Sequence, residues 1–167
     1  MQEPIFIGID PGISGAVGVV DADGEVIDVF DLPVVKGQKG SKELHLASLI
    51  KKVRALTDGR RVYGAVEKVH SMPKQGVRSS FRFGKATGQL ESMLVTLGIP
   101  LMLVTPQAWQ KRFTRHVEGP DTKVRSVIAA SYRWPDIDLP RKKDHNKAEA
   151  LLLAEYCRMH HSNKLED

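Results

Sequence analysis

The chain has 167 residues, with 25 Lys and Arg against 20 Asp and Glu, a formal net charge of +5. That length suits one domain over residues 1–167, able to bury about two-thirds of its unfolded surface without a covalent staple. The single cysteine, Cys157, excludes an internal disulfide and a cysteine-based zinc cage, and no apolar run approaches the ~20 residues of a membrane span.

Residues 5–10 (IFIGID) are a short apolar run stopped by Asp10-Pro11-Gly12, a strand followed by a turn. Residues 15–20 (GAVGVV) and the alternating 25–30 (EVIDVF) follow, split by the tight-turn pair Asp23-Gly24, so three antiparallel strands are expected. Residues 34–42 (VVKGQKGSK) read as a basic loop. Ser41 then caps a helix with apolar positions Leu44, Leu46, Leu49, Ile50, Val53 and Leu56, ending at Asp58-Gly59. Residues 62–66 are a fourth, buried strand closing on Glu67. Residues 70–82 are polar, basic and loop-like, and a helix is expected from about Phe83 to Leu97, stopped by Gly98. A fifth strand covers 101–104. Helices are expected from Pro106 to Phe113, from about 121 to 132 and over roughly 145–159. This order implies an α/β fold: a mixed sheet flanked by helices, its last two strands added through right-handed crossovers.

Charge is unevenly placed. Residues 1–59 carry a net of −3, residues 60–125 a net of +8, and residues 126–167 balance. A basic central segment is the footprint of a phosphate-backbone binder, and equally that of a solvated lysine-rich surface. The start of the chain has no basic region or cleavage site of a signal peptide. The expected location is the cytoplasm, in a bacterial or phage-infected cell, or an organelle after import.

Four places can carry chemistry. Asp10 ends an apolar strand in which Ile5, Ile7 and Ile9 face one way and Phe6, Gly8 and Asp10 the other. It is either an Asx-turn or a carboxylate needing a cation, because a lone buried charge is costly. Gly12 and Gly15 beside it leave room for a phosphate. Glu67 holds the equivalent place on the fourth strand, as a cation ligand or as the partner of Lys68. In the last helix His145, Asn146 and Glu149 can share a face, with Asp144 as N-cap. Lys123 stands in the first turn of a helix, where the macrodipole disfavours a cation unless it serves an anion.

The segments GIDPGISGA, AVEKV, GKATGQLESML, TPQAWQK and HNKAEALLLAEY, in this order over nearly the whole chain, resemble RuvC-type Holliday junction resolvases of the ribonuclease H-like superfamily. HSMPKQGVRSSF and RKKDHNKAEALLLA are similar to the plastid branch and its phage and bacterial relatives. The resemblance implies a ribonuclease H-like fold with a five-stranded sheet in the order 3-2-1-4-5. It also implies a homodimer and cleavage of two opposing strands of a four-way DNA junction with two Mg²⁺ or Mn²⁺ ions per site, leaving 5′-phosphate and 3′-hydroxyl ends. Neither a small-molecule cofactor nor a membrane is implied.

Residue by residue, Asp10, Glu67 and Glu149 match the family's metal-binding acids. Standard members carry Asp or His three residues before the last acid, where this chain has Asn146. The plastid branch places a His four before its Glu, which matches His145, so His145 is assigned as the fourth ligand with Asn146 and Asp144 as alternatives. Lys123 matches a catalytic lysine and Lys111 a second basic position. Residues 73–79 (PKQGVRS) resemble a base-probing segment, so Lys74, Gln75, Gly76, Arg78 and Ser79 are expected to contact DNA together with Arg82, Lys85, Lys111 and Lys123. Phe81 and Phe83 can stack on an unpaired base. Leu90, Met93, Leu94 and Leu97 serve either a dimer contact or core packing.

Three rivals stand beside this reading. Actin-like ATPases share the G-I-D-x-G start but need two such domains. A junction-binding module without catalysis is raised by Asn146 in place of an acid. A ribonuclease H-like nuclease could instead act on other branched DNA or on RNA–DNA hybrids.

Overall fold

The computed structural model describes residues 3–68 and 76–162. The first strand, β1 (Ile5–Asp10), pairs antiparallel with β2 (Ala16–Val20), which pairs antiparallel with β3 (Val26–Asp31). Residues 34–42, expected as a loop, instead form a separate hairpin of β4 (Val34–Lys36) and β5 (Lys42–Leu44). The helix α1 (Leu46–Thr57) therefore begins after Leu44. Ser41 does not cap it, because its hydroxyl donates to the Gln38 carbonyl within the hairpin.

Beyond α1, β6 (Val62–Glu67) lies parallel to β1, α2 (Val77–Thr96) crosses over, and β7 (Leu101–Val104) lies parallel to β6. The basic stretch 77–82, expected as loop, is the first part of α2, although Gly76 at its N-cap supplies no side-chain bond. Three helices complete the chain: α3 (Pro106–Phe113), α4 (Thr122–Arg133) and α5 (His145–Ser162). The sheet order β3-β2-β1-β6-β7 is the expected 3-2-1-4-5 once the hairpin strands are set aside.

The alternation of β1 divides the core. Ile5, Ile7 and Ile9 join Leu49 and Val53 of α1 and Leu90, Met93 and Leu94 of α2, while Phe6 faces Trp109, Ala129, Leu151, Leu152 and Cys157 on the other side of the sheet. Leu90, Met93 and Leu94 are thus committed to the core, with Leu97 packed against them, and are not available to a dimer contact.

The helix α5 lies unusually close to the sheet. A Cβ at Gly8 would stand 2.1 Å from the Ala150 carbonyl oxygen, and one at Gly18 2.6 Å from the Leu151 nitrogen. These glycines let helix backbone approach strand backbone, which explains why residues 150–154 (ALLLA) are all buried. Cys157, further along the same helix, is fully buried, and burial pushes its thiol up to about 12. Among the described residues, no helix is long and apolar enough to cross a membrane.

Candidate active site

The parallel register of β1 and β6 sets Ile9 opposite Val66, so one step further along Asp10 and Glu67 end neighbouring strands. In-register residues of parallel strands project to the same face, here the face covered by α3, α4 and α5. Glu149 enters from the second turn of α5, the residue before the segment seated against Gly8 and Gly18.

The three carboxylates act on one another. Asp10 is buried, and burial first, then the charges of Glu149 and Glu67, push its carboxyl well above the usual range; Lys123 pulls it down. Glu149 is pushed up to about 7, by burial and then by Glu67, against the Ser126 hydroxyl and Lys123. Burial also raises Glu67, while the Trp109 indole works the other way. Two buried side chains hold the glutamates: Trp109 Nε1 donates to Glu67 Oε1 at 2.8 Å, and Ser126 Oγ donates to Glu149 Oε1 at 3.2 Å. Neither Trp109 nor Ser126 was among the expected site residues. The signal for Trp109 was its own chemistry, since a buried indole N–H needs an acceptor. Glu67 takes that bond rather than one from Lys68.

Lys123 sits exposed in the first turn of α4, fixed there by the Asp121 cap, whose carboxylate accepts from Val124 N at 2.9 Å. His145 opens α5. Its Nδ1 is 2.9 Å from the Lys142 carbonyl oxygen, which can only accept, so the proton of a neutral ring sits on Nδ1 and Nε2 keeps its lone pair. The ring borders a cleft shared with Asp121, Lys123 and Arg141.

The alternatives to His145 are engaged elsewhere. Asn146 donates through Nδ2 to the Ser14 carbonyl, pinning α5 to the turn between β1 and β2. Asp144, expected as the N-cap of α5, belongs to a 3₁₀ turn (Lys142–Asp144) before it. Its carboxylate accepts from the Arg141 backbone N–H and guanidinium; burial would raise it, but these bonds hold it below the usual carboxylate range. Gly15 does not make room for a phosphate: a Cβ there would stand 2.0 Å from the Asp10 carbonyl oxygen, so the tight turn itself requires the glycine.

Of the expected DNA contacts, Gly76, Arg78, Ser79, Arg82 and Lys85 are exposed at the start of α2, and Lys111 is exposed in the last turn of α3. Lys74 and Gln75 lie outside the described residues. Phe81 is 73% exposed, whereas Phe83 is half-buried.

The donor set fits a hard divalent cation. Three carboxylates share one end of the sheet, and their excess negative charge, opposed by Lys123, is what such a cation neutralises. As placed, no three His, Cys, Asp or Glu side chains among the described residues gather close enough to ligate one ion. The fit therefore rests on donor chemistry and mutual repulsion.

No family model matches the chain, and no curated protein matches it by sequence. Solved structures do. A RuvC from Thermus thermophilus in complex with a Holliday junction substrate superposes with a TM-score of 0.60 at 15% identity, covering 96% of both chains. Another structure of Thermus thermophilus RuvC gives 0.54 at 19% identity, covering 93% of this chain and 96% of that one. This likeness shows the fold: the mixed five-stranded sheet flanked by helices is the RuvC, ribonuclease H-like arrangement.

Proposed function

We propose that the chain is a structure-selective endonuclease that resolves four-way DNA junctions by paired symmetric nicks, leaving 5′-phosphate and 3′-hydroxyl ends. The observation that carries this reading is the convergence of Asp10, Glu67 and Glu149, from β1, β6 and α5, at one end of a RuvC-like sheet beside Lys123. One of the superposing structures holds a Holliday junction. The His145 spacing supports kinship with the plastid branch.

Asp10, Glu67, Glu149 and His145 through Nε2 would hold Mg²⁺ or Mn²⁺, two ions per site. Such ions supply Lewis acidity and neutralise charge on the attacking and leaving oxygens of a phosphodiester. The protein's own groups do the rest. Trp109 and Ser126 fix the directions of Glu67 and Glu149, and the Lys142 carbonyl fixes the imidazole tautomer. Lys123 offers a positive charge to the phosphate at the transition state.

Symmetric nicks require two sites related by a two-fold axis, hence a homodimer. The outer face of α2 supports this. Val77, Phe81, Gly84, Gly88, Ser92 and Val95 recur at helical spacing and are all exposed. No described atom lies within 4 Å of a Cβ placed at Gly84 or Gly88, so nothing inside the described chain accounts for two glycines in mid-helix. Each costs about 1 kcal/mol relative to Ala, a penalty that close approach of a second helix would justify.

The test is a mobile four-way junction incubated with Mg²⁺ or Mn²⁺, products being mapped on all four strands. Symmetric nicks lost in Asp10→Asn support the reading. Binding without nicking in any divalent metal favours the non-catalytic module, and cleavage of RNA–DNA hybrids instead favours a ribonuclease H.

A further inference from the structure

We infer that the groove between the β4–β5 hairpin and the first half of α2 is a second DNA-backbone site, which takes the phosphates of a duplex arm leaving the junction centre. The inference rests on reading the chain as a branched-DNA nuclease. The groove encloses about 390 Å³ and is lined by Lys39 and Lys42 of the hairpin, by Arg78, Arg82 and Lys85 of α2, and by one acid, Glu43. Ile13, in the turn directly after Asp10, borders it, so the groove adjoins the carboxylate site.

The hairpin carries its charge at a structural cost. Lys36 and Lys42 are direct cross-strand partners, a like-charge pairing that weakens a ribbon. Lys39 stands in the left-handed region at φ 55°, ψ 33°, with Gly40 at φ 73° and the Ser41 N–H donating to the Gln38 carbonyl at 3.3 Å. Two successive positive φ values make a type I′ turn, whose first central position favours Asn, Asp or Gly over lysine. An isolated two-stranded hairpin is marginal at best. This one is tied to the rest by buried Leu44 and by the Glu43–Lys85 ion pair at 3.6 Å.

Three lysines thus occupy a short exposed ribbon in an arrangement that the free protein disfavours and a polyanion relieves. Cations on both banks of an open groove suit the phosphates of a DNA backbone, where affinity comes from counterion release and carries little sequence information.

The experiment measures junction affinity in EDTA across a salt series, for the full chain and for the double substitution Lys39→Asn, Lys42→Gln. Asn suits the left-handed turn better than lysine, so the melting temperature should hold or rise. Affinity should fall, and the slope of log K against log salt should become shallower by about 2, one for each lost phosphate contact. Nicking at saturating protein should keep its rate, and Lys39→Arg with Lys42→Arg should restore the slope. If the unaltered chain binds and nicks the junction but the slope does not change, the groove assignment is overturned alone. If the unaltered chain binds no junction, the nuclease reading fails and the groove assignment with it.

Discussion

Gly8 of β1 and Gly18 of β2 are register partners, and together they form the notch against which the α5 backbone rests. The notch sets the depth at which Glu149 meets Asp10. Gly8→Ala should therefore do more than overpack the core: the new methyl meets backbone at Ala150, which has no rotamer to yield. A loss of about 3 kcal/mol is expected, at the upper end for added bulk, read by urea denaturation. Metal-dependent nicking should fall even at temperatures where the variant stays folded.

Neutralising a carboxylate should separate stability from activity. In Glu149→Gln the repulsion from Glu67 disappears while the Ser126 contact can persist. The metal-free variant should melt higher than the unaltered chain at pH 7.5, show no stabilisation by Mn²⁺ and make no nicks. A lower melting temperature would mean that the glutamate serves as a structural anchor.

Raised carboxyls also fix the sign of the pH dependence. Between the ordinary 4.5 and the folded value of about 7, Glu149 binds more protons in the folded than in the unfolded chain, so stability falls as pH rises through that window. The span corresponds to roughly 3 kcal/mol at most. Metal-free melting curves should therefore be highest near pH 5 and decline toward pH 7.5. Added Mg²⁺ or Mn²⁺ should recover the loss at pH 7.5 and do little at pH 5, where protons compete for the same oxygens.

Trp109→Phe removes the indole donor from Glu67. A buried hydrogen bond of this kind is worth about 1–2 kcal/mol. The larger effect should fall on metal affinity, since a misdirected ligand typically loses about tenfold or more. A titration of nicking against metal concentration should show the half-maximal point rise at least that far, with the rate at saturation less affected.

The outer face of α2 predicts the behaviour of Gly88→Leu. Nothing described within the chain opposes the larger side chain, and leucine is the better helix former, so the fold should hold or gain up to about 1 kcal/mol. Sedimentation should show monomers, and paired nicking should give way to single nicks. A dimer of unchanged affinity would place the subunit contact elsewhere.

The sheet was legible because its signals are local: apolar strands, the Asp23-Gly24 turn, and Pro106 and Asp121 at helix starts. Asp10 and Glu67 could be placed at strand ends because each acid closes an apolar run. The hairpin was not legible. Its strands have three residues each, lie exposed, and turn at Lys39-Gly40 rather than Asn-Gly. The start of α2 was hidden for a related reason: residues 77–82 are mostly polar, and Gly76 gives no capping signal. The roles of Ser126, Asn146 and Asp144 depend on partners 23, 132 and 3 residues away. Of these, only the Asp144–Arg141 pair lay within reach of a local reading.

The sole thiol of the chain, on Cys157, is sealed inside α5's packing and held far from its reactive thiolate form. Maleimide chemistry will therefore pass over the natural protein while it stays folded. A cysteine introduced at a surface position such as Gln38 would become the single attachment point for a fluorophore, with no background residue to remove. Distances between a label there and labels on each arm could then be followed while the nucleic acid is engaged and released.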